Sequence, residues 1–500
     1  MRFLDTRQSE VSCSAQQAIL SGTTPSGGLW VPETFPFFDP PHGGASNPYF
    51  MEWGPILLGS FFPEIPLGQM QAFFHQAYTQ RFDHPDIVPL APLEENTFLA
   101  ELFHGPTLAF KDIALSLLPL LMTRALSRLP DFDQILLVTA TSGDTGKAAL
   151  RAFANVPSTR IVVLFPAGGV STMQERMMLA EKAPNTMVLK VEGSFDHAQQ
   201  ALKHLMANTS WRQALAKKGV LLSTANSINV GRILAQTVYY FSSYAQLVER
   251  QIVPQGDRVH FAVPTGNFGD MLAGYYAFRM GLPVGKLLCA SNQNHVLADF
   301  FQTGVYDING HSPLKKTLSP SMDILMASNL ERWLFEALDR DSSQTRNKMQ
   351  TLQDTGIMRL EPMQAPNLDL FHSGFCTDAQ TLSRIQGVFQ QRNMLVDPHT
   401  AVALQVLYQY RKGSGDQTPC IVLSTASPFK FPNAMARALS WNLPSDEPFE
   451  VLDRLSTVWS RPLPEEIQRL RGEKSREVPA VSVAQAMETI QEWQLQEPQA

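Results

Sequence analysis

The chain has little cysteine. Cys13, Cys289, Cys376 and Cys420 lie far apart and form no CxxC pair, which argues against a zinc site and a disulfide framework and suits a reducing compartment. No apolar run approaches the roughly 20 residues of a membrane helix, and the longest apolar face, Ile113 to Leu121, is broken by Ser116 and Pro119. Met1 to Glu10 are polar and mixed in charge, so no secretory leader is expected. No basic run stands out either. Lys plus Arg total 40 against 46 Asp plus Glu, a net charge of −6, which disfavours an electrostatic grip on nucleic acid. No internal repeat and no metal-ligand spacing are visible. The expectation is a cytoplasmic protein that handles a small molecule, as a monomer or homodimer, with no nucleic-acid, membrane or metal partner.

What is present suffices for a large core: 44% of the 500 residues are apolar and 17% charged. At about 150 residues per domain the length suggests three units. Pro25 to Pro66 is dense in proline and glycine, but Trp30, Phe35, Phe37, Phe38, Phe61 and Phe62 imply irregular backbone packed onto something. Residues 1–90 therefore read as an N-terminal domain with few regular elements. Over 91–442 the rhythm changes. Short β-branched runs at Ile135–Thr139, Ile161–Phe165, Thr186–Val191, Val259–Val263 and Lys286–Ala290 each precede a helical pattern, including one over 195–207. Thr400–Tyr410 reads as a helix and Cys420–Ser424 as another buried strand. Alternation of this kind predicts βαβ units and an α/β fold with parallel sheet. Residues 443–500 turn to proline and charge and read as a C-terminal extension, with helices expected at Glu465–Arg471 and Ala484–Trp493.

In such sheets ligands sit beyond the carboxyl ends of strands, and three strand-to-helix loops are rich there. Gly266, Asn267, Phe268, Gly269 and Asp270 open a helix with two glycines and free N–H donors, which suits a phosphate; a tight turn capped by Asp270 fits the same spacing. Thr139–Lys147 resembles a P-loop only superficially, because Thr141 stands at the first glycine position and Ala148 at the magnesium hydroxyl. Its hydroxyls and amides at a helix start suit a carboxylate, or simple capping by Ser142, Asp144 or Thr145. Ser424–Lys430 offers hydroxyls for a heterocycle nitrogen and a lysine for an anion, or a plain surface loop. Lys111, flanked by Phe110 and Ile113, sits where burial disfavours its charge, as Schiff-base lysines require; a structural lysine paired to Asp112 is the alternative. A lysine, a phosphate cradle and a carboxylate loop together match pyridoxal phosphate with an amino-acid substrate.

HGPTLAFKD (His104–Asp112), TATSGDTG (Thr139–Gly146), NSINVGRILAQ (Asn226–Gln236), VPTGNFGD (Val263–Asp270), DPHTAV (Asp397–Val402) and GTTPSGGLWVP (Gly22–Pro32) resemble the threonine synthase family, in its longer-chain branch. The likeness runs from about residue 2 to about residue 440. It implies pyridoxal-phosphate fold type II, similar to tryptophan synthase β, with two α/β subdomains of parallel or mixed sheet. It implies pyridoxal 5'-phosphate as cofactor, and conversion of O-phospho-L-homoserine and water to L-threonine and phosphate. By the same likeness Lys111 forms the Schiff base and is the catalytic base. Gly266, Asn267, Phe268, Gly269 and Asp270 hold the cofactor phosphate, and Thr425 faces the pyridine nitrogen. Thr141, Ser142, Asp144 and Thr145 receive the substrate carboxylate, with Arg232 and then Lys430 as candidates for the substrate phosphate.

Two departures stand out. The family usually reads TAHPAKF where this chain has Thr425-Ala426-Ser427-Pro428-Phe429-Lys430-Phe431, and Lys147 follows TSGDTG where a small residue is expected. Both are expected to alter the substrate pocket. They motivate a rival reading, a phospholyase that eliminates phosphate and releases a keto acid. A non-catalytic homologue that keeps the cofactor structurally is a second rival, opposed by the intact Lys111 and its loops.

Overall fold

The computed structural model describes the chain except residues 42–47, 142, 194–197, 200–201, 203–204, 207, 362–367, 442–447, 473–477 and 496–500. The helix expected over 195–207, Ser142 and the domain edge at 442 fall in or across those gaps, outside the described residues.

The strands in chain order are β1 (Arg2–Asp5), β2 (Gln8–Ser14), β3 (Trp30–Pro32), β4 (Leu90–Glu94), β5 (Thr97–Glu101), β6 (Gln134–Ala140), β7 (Thr159–Pro166) and β8 (Thr186–Val191). They continue with β9 (Val220–Ser223), β10 (Val259–Pro264), β11 (Val284–Ser291), β12 (Val305–Asp307), β13 (Ile357–Arg359), β14 (Phe371–Phe375), β15 (Cys420–Ser424) and β16 (Ala480–Val481). Two main sheets result. One has six strands in the order β14-β11-β10-β15-β5-β4, the other five in the order β16-β8-β7-β6-β9. All pairings in the two sheets are parallel except β4 with β5. Helices cover both faces, so the central strands read as unbroken apolar runs; Ile161 to Phe165 are all fully buried.

The long helix Val230–Glu249 is buried on every side over most of its length. It packs against the helices Tyr49–Gly59, Lys111–Leu126 and Gly269–Arg279, so its first turn is fixed relative to both sheets. Asn229 caps it, accepting from the Gly231 N–H at 3.0 Å, and ties it to the N-terminal segment by donating to the Ile19 carbonyl at 2.7 Å.

The first 90 residues carry more regular structure than expected. Helices Ala15–Ser21, Tyr49–Gly59 and Leu67–Tyr78 and the sheet β2-β1-β3 lie there. Aromatic spacing, not glycine content, decides the outcome: Tyr78 packs edge to face with Phe50 and Phe82 and tilts against Phe74, one turn before it. Of the six aromatics expected to pack, Trp30, Phe61 and Phe62 are buried and Phe35 and Phe38 lean on the core, whereas Phe37 is 73% exposed.

The C-terminal segment docks on both subdomains. β16 adds an edge to β8, and the helix Val483–Leu495 buries Ala486 and Ile490 against the five-stranded sheet. The helices Pro448–Trp459 and Glu465–Arg471 bury Leu452, Leu455 and Ile467 on the cluster beneath the helix Pro398–Ser414.

Candidate active site

The cleft is built from loops that leave the carboxyl ends of strands in both sheets. After β5 the chain turns through His104–Asp112 into the helix Lys111–Leu126. Burial pulls the His104 imidazole down, but Asp83 at 2.6 Å and Glu101 at 3.0 Å outweigh it and raise it to about 9. Asp112 is used up locally: it accepts from the Thr107 N–H at 2.7 Å and the Thr107 hydroxyl at 2.6 Å. Gly105 passes so close that an added Cβ would stand 2.5 Å from Asp112 Cβ. A bridge between Ala109 and Ala426 lets the Phe110 N–H donate to the Thr425 carbonyl at 2.8 Å, setting Lys111 beside Thr425.

Lys111 is therefore not the partner of Asp112. Its acidic neighbour is Asp144, with Nζ 3.8 Å from Oδ2. Burial lowers the Lys111 amine to about 8, with Asp144 opposing and Arg232 and Lys430 assisting. Asp144 begins the helix Asp144–Phe153 after β6. Burial alone would raise its carboxyl, but Lys430 at 2.8 Å and then Lys111 hold it well below the carboxylate range. Gln174 at 3.1 Å and the Ser321 hydroxyl at 3.2 Å also donate to it. Thr141 closes this turn internally, its Oγ1 accepting the N–H groups of Gly143 and Gly146, both at 2.9 Å. Asn226 pins the same loop by exchanging two hydrogen bonds with Ala140, at 3.1 and 2.9 Å.

After β10, Phe268 adopts a left-handed φ of 61° and the helix Gly269–Arg279 begins. The Phe268 ring turns inward onto Phe301 and Phe371, so this residue offers the cleft backbone rather than side chain. The first-turn N–H groups lack helical partners and carry the positive end of the dipole. A Cβ on Gly266 would stand 2.7 Å from the Ser321 carbonyl oxygen, so only glycine allows the approach. Asp270 accepts from the Tyr239 and Tyr240 hydroxyls, and burial pushes its carboxyl up to about 7, which weakens its charge beside an anion.

Arg232, in the first turn of Val230–Glu249, is 2% exposed. It donates to the Ala225 carbonyl at 3.2 Å, its Nε has no partner, and no carboxylate pairs with it among the described residues. Asn267 Oδ1 and Asp270 Oδ2 are likewise buried without a partner. Buried polar atoms are normally satisfied. Three such atoms in one cleft, with a lysine amine and a glycine-lined helix start, fit a phosphorylated, heterocyclic, aldehyde-bearing cofactor.

A family profile described as pyridoxal-phosphate dependent enzyme matches residues 86–425. Profiles for the threonine synthase N terminus and C-terminal region match 2–78 and 400–491. The threonine synthase of Corynebacterium glutamicum is 36% identical over 88% of this chain and 91% of its own. The chain belongs to the threonine synthase family. Two solved threonine synthases superpose with a TM-score of 0.82: that of Brucella melitensis with pyridoxal phosphate bound, at 33% identity over 99% of this chain and all of its own, and that of yeast, at 30% over 99% and 98%. This is a pyridoxal-phosphate-dependent enzyme, of a family of carbon–oxygen lyases with the type II fold.

Of the residues the family likeness singles out, Lys111, Asp144, Thr145, Arg232, Gly266–Asp270 and Thr425 line one cleft, and Thr141 lines the recess next to it. Lys430 does not line it. Its amine is held by Asp144 and the Thr107 carbonyl, both at 2.8 Å, so it acts on the cleft through Asp144. The structure also adds Ser321 and Met322, on a short turn with no motif of its own, and Ser227, Gln236 and His399. The last three lie inside the quoted Asn226–Gln236 and Asp397–Val402 segments. His399 Nδ1 lies 2.7 Å from Asp397, and Nε2 accepts the Ser321 N–H at 3.3 Å.

The two departures lie elsewhere. Lys147 points away from the cleft to Glu466 at 2.9 Å and Glu181 at 3.4 Å, clamping the C-terminal segment. Ser427 is a backbone link, its N–H donating to Leu108 at 3.0 Å, and Phe429 packs on Trp459. Lys147 lies one turn beyond Asp144, and its amine is drawn off by Glu466 and Glu181.

Two outcomes follow. Lys147→Met strands Glu466 and leaves Glu181 only Arg151 at 3.9 Å, lowering stability by about 3 kcal/mol in urea unfolding, with substrate Michaelis constants unchanged; a selective change in those constants would return Lys147 to the pocket. Cofactor-free protein captures pyridoxal phosphate faster as pH rises through about 8 and then levels off, since only the neutral amine attacks; stopped-flow absorbance reads this, and a rate still climbing beyond pH 10 contradicts it.

Proposed function

We propose that this chain converts O-phospho-L-homoserine and water to L-threonine and phosphate. The observation that supports the reading is the Arg232 guanidinium, buried without a carboxylate partner beside Lys111 and the 266–270 loop. Pyridoxal phosphate, when bound, supplies the electron sink that lets an α-proton leave the amino acid.

Lys111 is the group that bonds this cofactor and, once displaced, takes the α-proton at Nζ and holds it for return. Its amine, lowered to about 8 by burial, is substantially neutral near physiological pH, as a base requires. Asp144, kept charged by Lys430, steadies Nζ whenever it carries the extra proton. The amides of Gly266, Asn267, Phe268, Gly269 and Asp270 hold the cofactor phosphate, and the Thr425 hydroxyl orients the ring nitrogen. Thr145 and the helix start at Asp144, on the turn that Thr141 holds, receive the substrate carboxylate. Arg232 grips the substrate phosphate through its free Nε edge. The Ser321–His399 contact closes the cleft and excludes water until it is added.

Phosphate elimination without water addition has no support in the cleft, because Lys147 and Ser427 both lie outside its lining. Lys111→Ala should abolish turnover and the yellow cofactor absorbance. Arg232→Ala should raise the Michaelis constant for O-phospho-L-homoserine roughly 30-fold, about 2 kcal/mol, while cofactor affinity changes little; equal loss of both would remove Arg232 from the substrate phosphate.

A further inference from the structure

Away from the cleft, three side chains with metal-binding atoms converge where the helix Val296–Thr303 meets the turn Asn309–His311. His295 caps the helix, Asp299 lies one turn on, and His311 closes the turn. His295 Nδ1 stands 3.0 Å from Asp299 Oδ1, and His311 Nε2 stands 2.8 Å from Asp299 Oδ2. One ligand atom of each residue lies within 4.8 Å of the others. The two imidazoles are perpendicular, at 89° with centroids 4.5 Å apart. Phe375 stacks on His295 at 4.2 Å and fixes its ring. None of the three lines the cleft.

We propose that His295, Asp299 and His311 bind one zinc ion. Hydrogen bonds alone need both imidazoles to donate an N–H to a single carboxylate. An ion replaces the two protons by one centre that accepts a lone pair from each nitrogen and an oxygen from Asp299. Two imidazole nitrogens and one carboxylate oxygen are a zinc donor set; magnesium and calcium take oxygen. The cysteine spacing that argues against a thiolate site does not bear on this one. At bond lengths of about 2.0–2.1 Å tetrahedral donors stand roughly 3.4 Å apart, so the two His–Asp contacts open by a few tenths of an ångström while the imidazole nitrogens, within 4.8 Å of one another, settle to that distance. The side chains of His295, His311 and Asp299 are 23%, 13% and 38% exposed. An ion thus enters from solvent and completes its shell with water.

The position gives the ion a structural consequence. From His311 the chain runs to the turn Pro320–Met322, and Asn294 and Asn292, just beyond β11, bind Lys315, Thr317 and Asp323 on the way. That turn delivers Ser321 to Asp144. Zinc clasps the outer end of this strap to the helix Val296–Thr303.

The test uses the full chain loaded with pyridoxal phosphate, dialysed against a chelator and titrated with zinc chloride in a calorimeter. One zinc per chain is expected. Asp299→Asn and His311→Gln should each weaken binding beyond the roughly 10–100-fold that loss of an outer partner costs a metal site. Zinc should raise the thermal midpoint of the parent and leave both variants unmoved, with cofactor absorbance retained as the sign of folding. His295→Gln replaces either variant if it does not fold. Absence of stoichiometric binding, or equal affinity in the variants, overturns the site.

Discussion

The structure depends on a shortage of negative charge in a dry place. Lys111, Lys430 and Arg232 are gathered with Asp144 and Asp270, and burial has weakened the second of these carboxyls. Buried charge without compensation is costly, so such a cluster persists only if anions complete it. A cofactor phosphate, a substrate carboxylate and a substrate phosphate are three such anions. Burial leaves Lys111 an amine poised to lose its proton near neutrality, and Asp144, which opposes that loss, is shared with Lys430.

The surrounding fold holds these groups at fixed separations. Lys111 and Thr425 come from neighbouring strands of one sheet and are locked by the Ala109–Ala426 bridge. Asp144 and Arg232 come from the other sheet, tied by the Asn226–Ala140 pair and by Asn229. The cleft therefore lies between the two sheets, crossed by the Ser321–Asp144 and Lys430–Asp144 contacts. Gly266 shows how tight the fit is, since one added methyl would meet the strap's backbone.

The parallel sheets were legible because strands buried on both faces read as continuous apolar runs; Thr186–Val191 and Cys420–Ser424 coincide with the observed limits. β5, β9 and β14 were not anticipated: Thr97–Glu101 and Phe371–Phe375 mix polar with apolar residues, and Val220–Ser223 is too short to show a period. The cleft's backbone loops were legible from glycines and helix starts. Side-chain direction was not. Lys147 and Lys430 sit within a few residues of the cleft loops in sequence, yet Glu181 and Glu466 draw one away and the buried Asp144 captures the other. Ser321 had no local signal, because its role depends on a tertiary contact with Asp144.

The most direct measurement is a proton and phosphorus NMR time course of the purified protein with pyridoxal phosphate and O-phospho-L-homoserine. Threonine and inorganic phosphate appearing together at equal rates is the expected result. Phosphate accompanied by 2-oxobutyrate, or neither product from a protein that still binds its cofactor, would contradict the assignment of the cleft's cations to these anions.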